Sequence, residues 1–152
     1  MKTTRILALM MWSIFIVVPG LHAACSTAST AGRFGFTTTG FIPAVGPVAA
    51  TGIFTQDASG NITGTQTRSL NGSVADETFT GTATVNSDCT GTDTVQVFQD
   101  GSLVRTTTLH VVYDDNGREA RAIFTSPVLP NGVSLPSIIT IEARKLFSRE
   151  AD

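Results

Sequence analysis

The chain has 152 residues, 10 Lys+Arg against 12 Asp+Glu, a net charge of −2 and only 7% aromatic residues. A length of this order suits one domain with one core. Cations gather only at Arg144-Lys145 and Arg149 toward the end, so no basic face is available for nucleic acid.

The chain begins Met1-Lys-Thr-Thr-Arg5, followed by an apolar run from Ile6 to Val18, then Pro19-Gly20 and Leu21-His22-Ala23. A basic start, a short apolar stretch and a small residue at the cut describe a secretory signal peptide over residues 1–23. The run is well short of the roughly 20 residues that a membrane-crossing helix needs. A cut before Cys25 would instead make a lipoprotein. Ala23 and Ala24 suit it, but His22 does not. Residues 24–152 are then the mature domain, secreted or periplasmic, and not membrane-spanning once the leader is removed.

Two cysteines, Cys25 and Cys89, lie in that domain. An even count in an exported chain predicts one disulfide. It would close a long loop, contributing on the order of 4 kcal/mol. No CxxC motif or neighbouring His suggests redox or nucleophilic chemistry.

The mature sequence alternates with period two, the signature of half-buried strands. In Thr78–Val85, Phe79, Gly81, Ala83 and Val85 share one face and the four threonines share the other. Thr is β-branched and tolerates water, so it suits a wet sheet face. The pattern predicts strands over Arg33–Phe41, Val48–Gln56, Asn61–Leu70, Thr78–Val85, Thr92–Gln99, Leu103–Asp114, Arg118–Thr125 and Ser137–Ala143. Between them lie turn signals: Asp57–Asn61, Leu70-Asn-Gly-Ser73, Asn86–Gly91, Asp100-Gly101 and Asp114-Asp-Asn-Gly117. Pro43 and Pro47 fall in one predicted loop, and Pro127, Pro130 and Pro136 in another, leaving the strand interiors free of proline. The tail from Ile138 to Asp152 starts as a β-branched strand and should fray into a short helix or disorder.

A motif T-G-T-x-T occurs at Thr63, Thr80 and Thr90. Its glycines mark either tight bending or simple drift in a threonine-rich sheet. About eight antiparallel strands with short hairpins predict an all-β, up-and-down barrel, with a β-sandwich as the alternative. Barrel closure would remove exposed sheet edges.

The residues offer little chemistry. The adjacent carboxylates Asp76-Glu77 and Asp114-Asp115 fall at predicted turns. Asp114–Gly117 lacks the distal Glu of a calcium loop. No catalytic motif, metal-ligand set or cofactor motif is present. Asn61-Ile-Thr63 and Asn71-Gly-Ser73 match the glycosylation sequon, as a chain rich in Thr and Ser does by chance. Parity places Arg105 and Tyr113 on one face with Leu109 and Val111, and His110 on the other unless a bulge intervenes. If the first face lines a barrel, Arg105 and Tyr113 are polar anchors in an apolar cavity, with His110 a further candidate.

At Phe34-Gly-Phe36, Phe79-Thr-Gly-Thr82 and Asn86-Ser-Asp-Cys-Thr-Gly-Thr92 the chain resembles a diffuse group of small exported bacterial proteins, from about Cys25 to Arg144. The resemblance implies export and the disulfide, and supplies no activity. More loosely, the pattern resembles the calycin and allene oxide cyclase type of barrel, a likeness that carries no function. The reading that follows is a binding module for an apolar small molecule or a partner. A cofactor-free isomerase or cyclase using the barrel interior is the alternative, and a structural or surface protein without a cavity is a third.

Overall fold

The computed structural model describes residues 24–146. The expected signal peptide, residues 1–23, and the last part of the tail, residues 147–152, lie outside the described residues. Eight strands follow in order: β1 (Gly32–Ile42), β2 (Gly46–Gln56), β3 (Asn61–Leu70), β4 (Ser73–Val85), β5 (Thr90–Gln99), β6 (Ser102–Asp114), β7 (Glu119–Val128) and β8 (Ile138–Lys145). Each pairs antiparallel with the next, and β8 returns to pair with β1 from Phe34↔Lys145 to Phe41↔Ile138. The sheet therefore closes as an up-and-down barrel and not as a sandwich.

The alternation decides which way each side chain faces. Outward threonines lie opposite one another across strands, as in Thr63↔Thr80, Thr65↔Thr78 and Thr82↔Thr94. Inward positions carry Phe34, Phe36, Ile62, Phe79, Val97, Leu109 and Val111, all buried. Phe34 stacks on Phe54 with centroids 4.9 Å apart, and Phe36 meets the Phe79 ring edge-on at 5.9 Å. Such pairs add stability beyond the area they bury.

Turn chemistry sets the register. Asn71-Gly72 and Asp100-Gly101 both hold positive φ at both positions, 49° and 85°, then 51° and 77°. That is the two-residue hairpin geometry matched to strand twist. It places Leu70 opposite Ser73 and Gln99 opposite Ser102. The three glycines of the T-G-T-x-T motif, Gly64, Gly81 and Gly91, all face inward. A Cβ at each would collide with a carbonyl oxygen of an adjoining strand, and at Gly64 also with the Phe79 ring. Their role is close approach.

Three expectations need correction. β4 begins at Ser73, so Asp76-Glu77 lies in a strand and not at a turn. Pro127 and Pro47 lie inside β7 and β2. Both are tolerated because only loop backbone, Asn71 N and Leu135 N, meets their carbonyls on one side. β8 pairs with β7 only over Glu119–Ile123, and β3 pairs with β2 only from Val48, so each proline has a side with no ladder to break. A short helix, α1 (Thr27–Thr30), was not expected. Ser26 caps it reciprocally with Ser29.

The barrel ends differ. At one end the Cys25–Cys89 disulfide ties the segment before α1 to the β4–β5 turn. Thr30 of α1 is fully buried there, and its hydroxyl accepts from Gln56 Nε2 at 2.9 Å. Tyr113 in turn donates its hydroxyl hydrogen to Gln56 Oε1 at 3.1 Å. Disulfide, helix and this buried hydrogen-bond chain plug the end. The other end carries the β1–β2, β3–β4 and β5–β6 hairpins and the long β7–β8 connection. Exposed apolar side chains ring it, among them Val74, Val133 and Ile138.

Candidate functional site

The barrel interior holds a cavity of about 280 Å³. Its walls are mainly apolar, with Phe36, Phe54, Phe79, Val95 and Leu109 around the middle and Ile42, Val48, Leu70, Leu129 and Leu135 toward the unplugged end. Two ionisable sites stand out among the polar side chains in this lining.

The first surrounds Glu77. Its carboxylate has no solvent-accessible surface. Oε1 accepts from Arg68 Nε at 2.7 Å and Arg105 Nη1 at 2.9 Å. Oε2 accepts from Arg105 Nη2 at 2.8 Å and Gln66 Nε2 at 2.6 Å. Arg105 thus grips the carboxylate bidentately, the strong geometry for this pair. Burial alone would push the Glu77 carboxyl up. The hydrogen bonds and charge of Arg105, with hydrogen bonds from Arg68 and Gln66, hold it down at about 2.

The second is Asp93, two inward positions further along β5 from Val97, which lies opposite Arg105. It lines the cavity, and its Oδ1 is buried without a hydrogen-bond partner. Burial pushes its carboxyl up to about 7, and no cation opposes the shift. Thr107, on β6 diagonal to it, also lines the cavity with an unpartnered Oγ1.

A carboxyl raised on folding stays neutral in the native state while the unfolded chain ionises. Asp93 therefore favours the fold fully only below about pH 3.8, and this is lost as pH rises through about 7. Asp93→Asn removes the titration and is expected to raise stability above pH 7 by about 4 kcal/mol relative to the parent. Urea unfolding of both proteins from acidic to mildly alkaline pH checks this. Parallel curves would refute it.

Among the residues singled out from sequence, Arg105 and Tyr113 both line the cavity. Arg105 belongs to the Glu77 cluster, near the unplugged end. Tyr113 is buried at the plugged end, where burial first and the Asp93 charge second push its hydroxyl up. His110 is corrected: it is exposed on the outer wall, because no bulge separates it from Tyr113. Arg68, Glu77, Asp93 and Thr107 were missed. Parity carried back from Phe79 reaches Glu77, parity on from Ile62 reaches Arg68, and parity back from Val95 reaches Asp93. The signal was present, but short polar stretches near turns masked it.

No family model and no curated protein matches the chain. Among solved structures it is similar to a redesigned beta barrel, mFAP1, bound to DFHBI, at 15% identity over 79% of this chain and 98% of that one, with a TM-score of 0.54. It is also similar to EF1p2_mFAP2b bound to DFHBI, at 10% identity over 80% and 100%, with a TM-score of 0.58. At these identities the likeness is one of fold, and the fold is a closed eight-stranded barrel with a lined interior.

Proposed function

We propose that this is an exported binding protein that holds a small, largely apolar molecule inside its barrel. The observation that carries the reading is the phenylalanine-lined cavity inside the barrel, interrupted by only a few fixed polar groups, the usual make-up of a ligand site. The two barrels of similar fold, each bound to DFHBI, add support.

Export is part of the same reading, with residues 1–23 removed and residues 24–152 forming one secreted or periplasmic domain. The disulfide needs an oxidising compartment, and the threonine-covered outer wall suits water. The Cys89 turn supports the resemblance to small exported bacterial proteins.

The test uses the protein lacking its leader and N-phenyl-1-naphthylamine, a neutral probe that fluoresces in apolar surroundings. Saturable binding is expected. Ala50→Phe, which fills the cavity from β2, should weaken it by about tenfold or more while circular dichroism stays unchanged. Absence of saturable binding, or equal binding by a folded Ala50→Phe variant, would overturn the reading.

Asp93 favours one second reading. A carboxyl near neutrality in an apolar cavity suits general acid–base work, as a cofactor-free isomerase or cyclase would require. Exchange of a bound ligand's acidic protons with deuterated water, abolished in Asp93→Asn, would favour this enzyme over a carrier.

A further inference from the structure

The cavity holds two guanidinium groups and one ionised carboxylate near its unplugged end. Glu77 is saturated by four donors. Arg68 spends only Nε on it, and its two Nη groups make no hydrogen bond among the described residues. Its side chain is 14% exposed, and it lines the cavity. One positive charge is therefore left over in a low-dielectric site. Asp93 does not neutralise it, since it pairs with no cation and lies deeper along the wall. Nor do the nearby acids Asp76 and Asp100. Asp76 is exposed on the outer wall and accepts from Thr67, and Asp100 sits in the β5–β6 turn.

A partly buried guanidinium edge with no protein partner is a ready docking point for an anion. The second observation lies deeper. Thr107 is 2% exposed, and both its Oγ1 and the Asp93 Oδ1 point into buried space without partners. Buried polar atoms are ordinarily paired, so two unpaired atoms side by side on one cavity wall mark a place for a hydroxyl. On β6 Thr107 is the next inward position after Arg105, while Phe36, Phe54 and Phe79 give the same cavity an apolar wall on β1, β2 and β4.

We propose that the occupant is an anionic amphiphile whose acidic group docks on the free edge of Arg68, whose apolar body lies against Phe36, Phe54 and Phe79, and whose far part carries a hydroxyl that meets Thr107 and Asp93. This rests on the binding reading above and names the ligand class of that site.

The probes are dodecanoate, 12-hydroxydodecanoate and 1-dodecanol, each titrated against bound N-phenyl-1-naphthylamine. Dodecanoate should displace it at roughly tenfold lower concentration than dodecanol, the least that charge-assisted hydrogen bonds supply in a low-dielectric site. Arg68→Gln should erase that difference, while Glu77 keeps the Arg105 pair. The hydroxy acid should bind several-fold tighter than dodecanoate, a gain lost in the near-isosteric Thr107→Val.

Equal displacement by acid and alcohol overturns the anionic head, whether or not Arg68→Gln folds, because the comparison needs only the parent protein. A hydroxy acid no tighter than dodecanoate overturns the deep hydroxyl. If the neutral probe binds and none of the three displaces it, the amphiphile falls and the cavity reading stands. If the neutral probe itself never binds, the cavity reading falls too.

Discussion

Glu77→Gln is expected to lower stability by about 3–5 kcal/mol, the usual cost of breaking one partner of a buried charged cluster. The Gln side chain nearly matches Glu in shape, so packing is kept. What changes is charge, because Arg68 and Arg105 are left facing each other inside the barrel with nothing to neutralise them. An amide also offers one acceptor oxygen where the carboxylate offers two, so the four donors around Glu77 cannot all be satisfied.

The same variant has a pH signature. A carboxyl held at about 2 in the fold and near 4.5 when free stabilises the protein at all pH values above 4.5. That contribution, about 3 kcal/mol, is lost as pH falls through about 2. The parent should therefore weaken steeply in acid, and Glu77→Gln should be weak throughout with a shallower acid limb. Asp93 acts in the opposite sense toward alkaline pH, so the parent should be most stable at about pH 4 to 5. Urea unfolding across pH checks both limbs. A loss under about 1 kcal/mol would mean that the cluster behaves as a solvated surface pair.

Replacing Cys25 and Cys89 together by Ser is expected to cost about 4 kcal/mol, from a cross-link that closes a separation of 64 residues. The effect should also be local. Without the tether, α1 is four residues long and cannot hold itself against the barrel end. Its release would take Thr30 from Gln56 and loosen the Gln56 contact to Tyr113. Tyr113 is the only tyrosine, and the single tryptophan, Trp12, falls in the expected signal peptide, residues 1–23. Tyrosine emission from a protein made without residues 1–23 thus reports directly on the plug. Denaturant unfolding gives the loss in stability, and a shifted Tyr113 emission with protease cleavage near Thr27 gives the opening. Unchanged emission and protease resistance would show that packing alone seats the helix.

Much of this architecture is written in local chemistry. Alternation in Phe34–Thr39 or Thr78–Val85 needs no partner to be read, because side chains on an extended backbone point to opposite sides at every step. Asn71-Gly72 and Asp100-Gly101 readily take left-handed backbone, so both turns were legible, although the strand after the first was expected only from Thr78 and begins at Ser73. The cysteine pair followed from an even count in a chain expected to be exported.

The binding chemistry was less accessible. Parity told that Arg105 and Tyr113 share a face, but not that Arg105 would meet a carboxylate 28 residues earlier in the chain. Glu77 looked like a turn residue because its neighbours are polar and small, and only the pairing of β4 with β3 down to Ser73 turns it inward. The Cys25–Cys89 tether was foreseen, but not the helix it presses onto the barrel end. A one-dimensional pattern records which side of a strand a residue occupies. Whether that side is solvent, packed core or hollow cavity, and which charges are forced together inside it, is set when β8 closes on β1, because only closure excludes water and leaves those charges to one another.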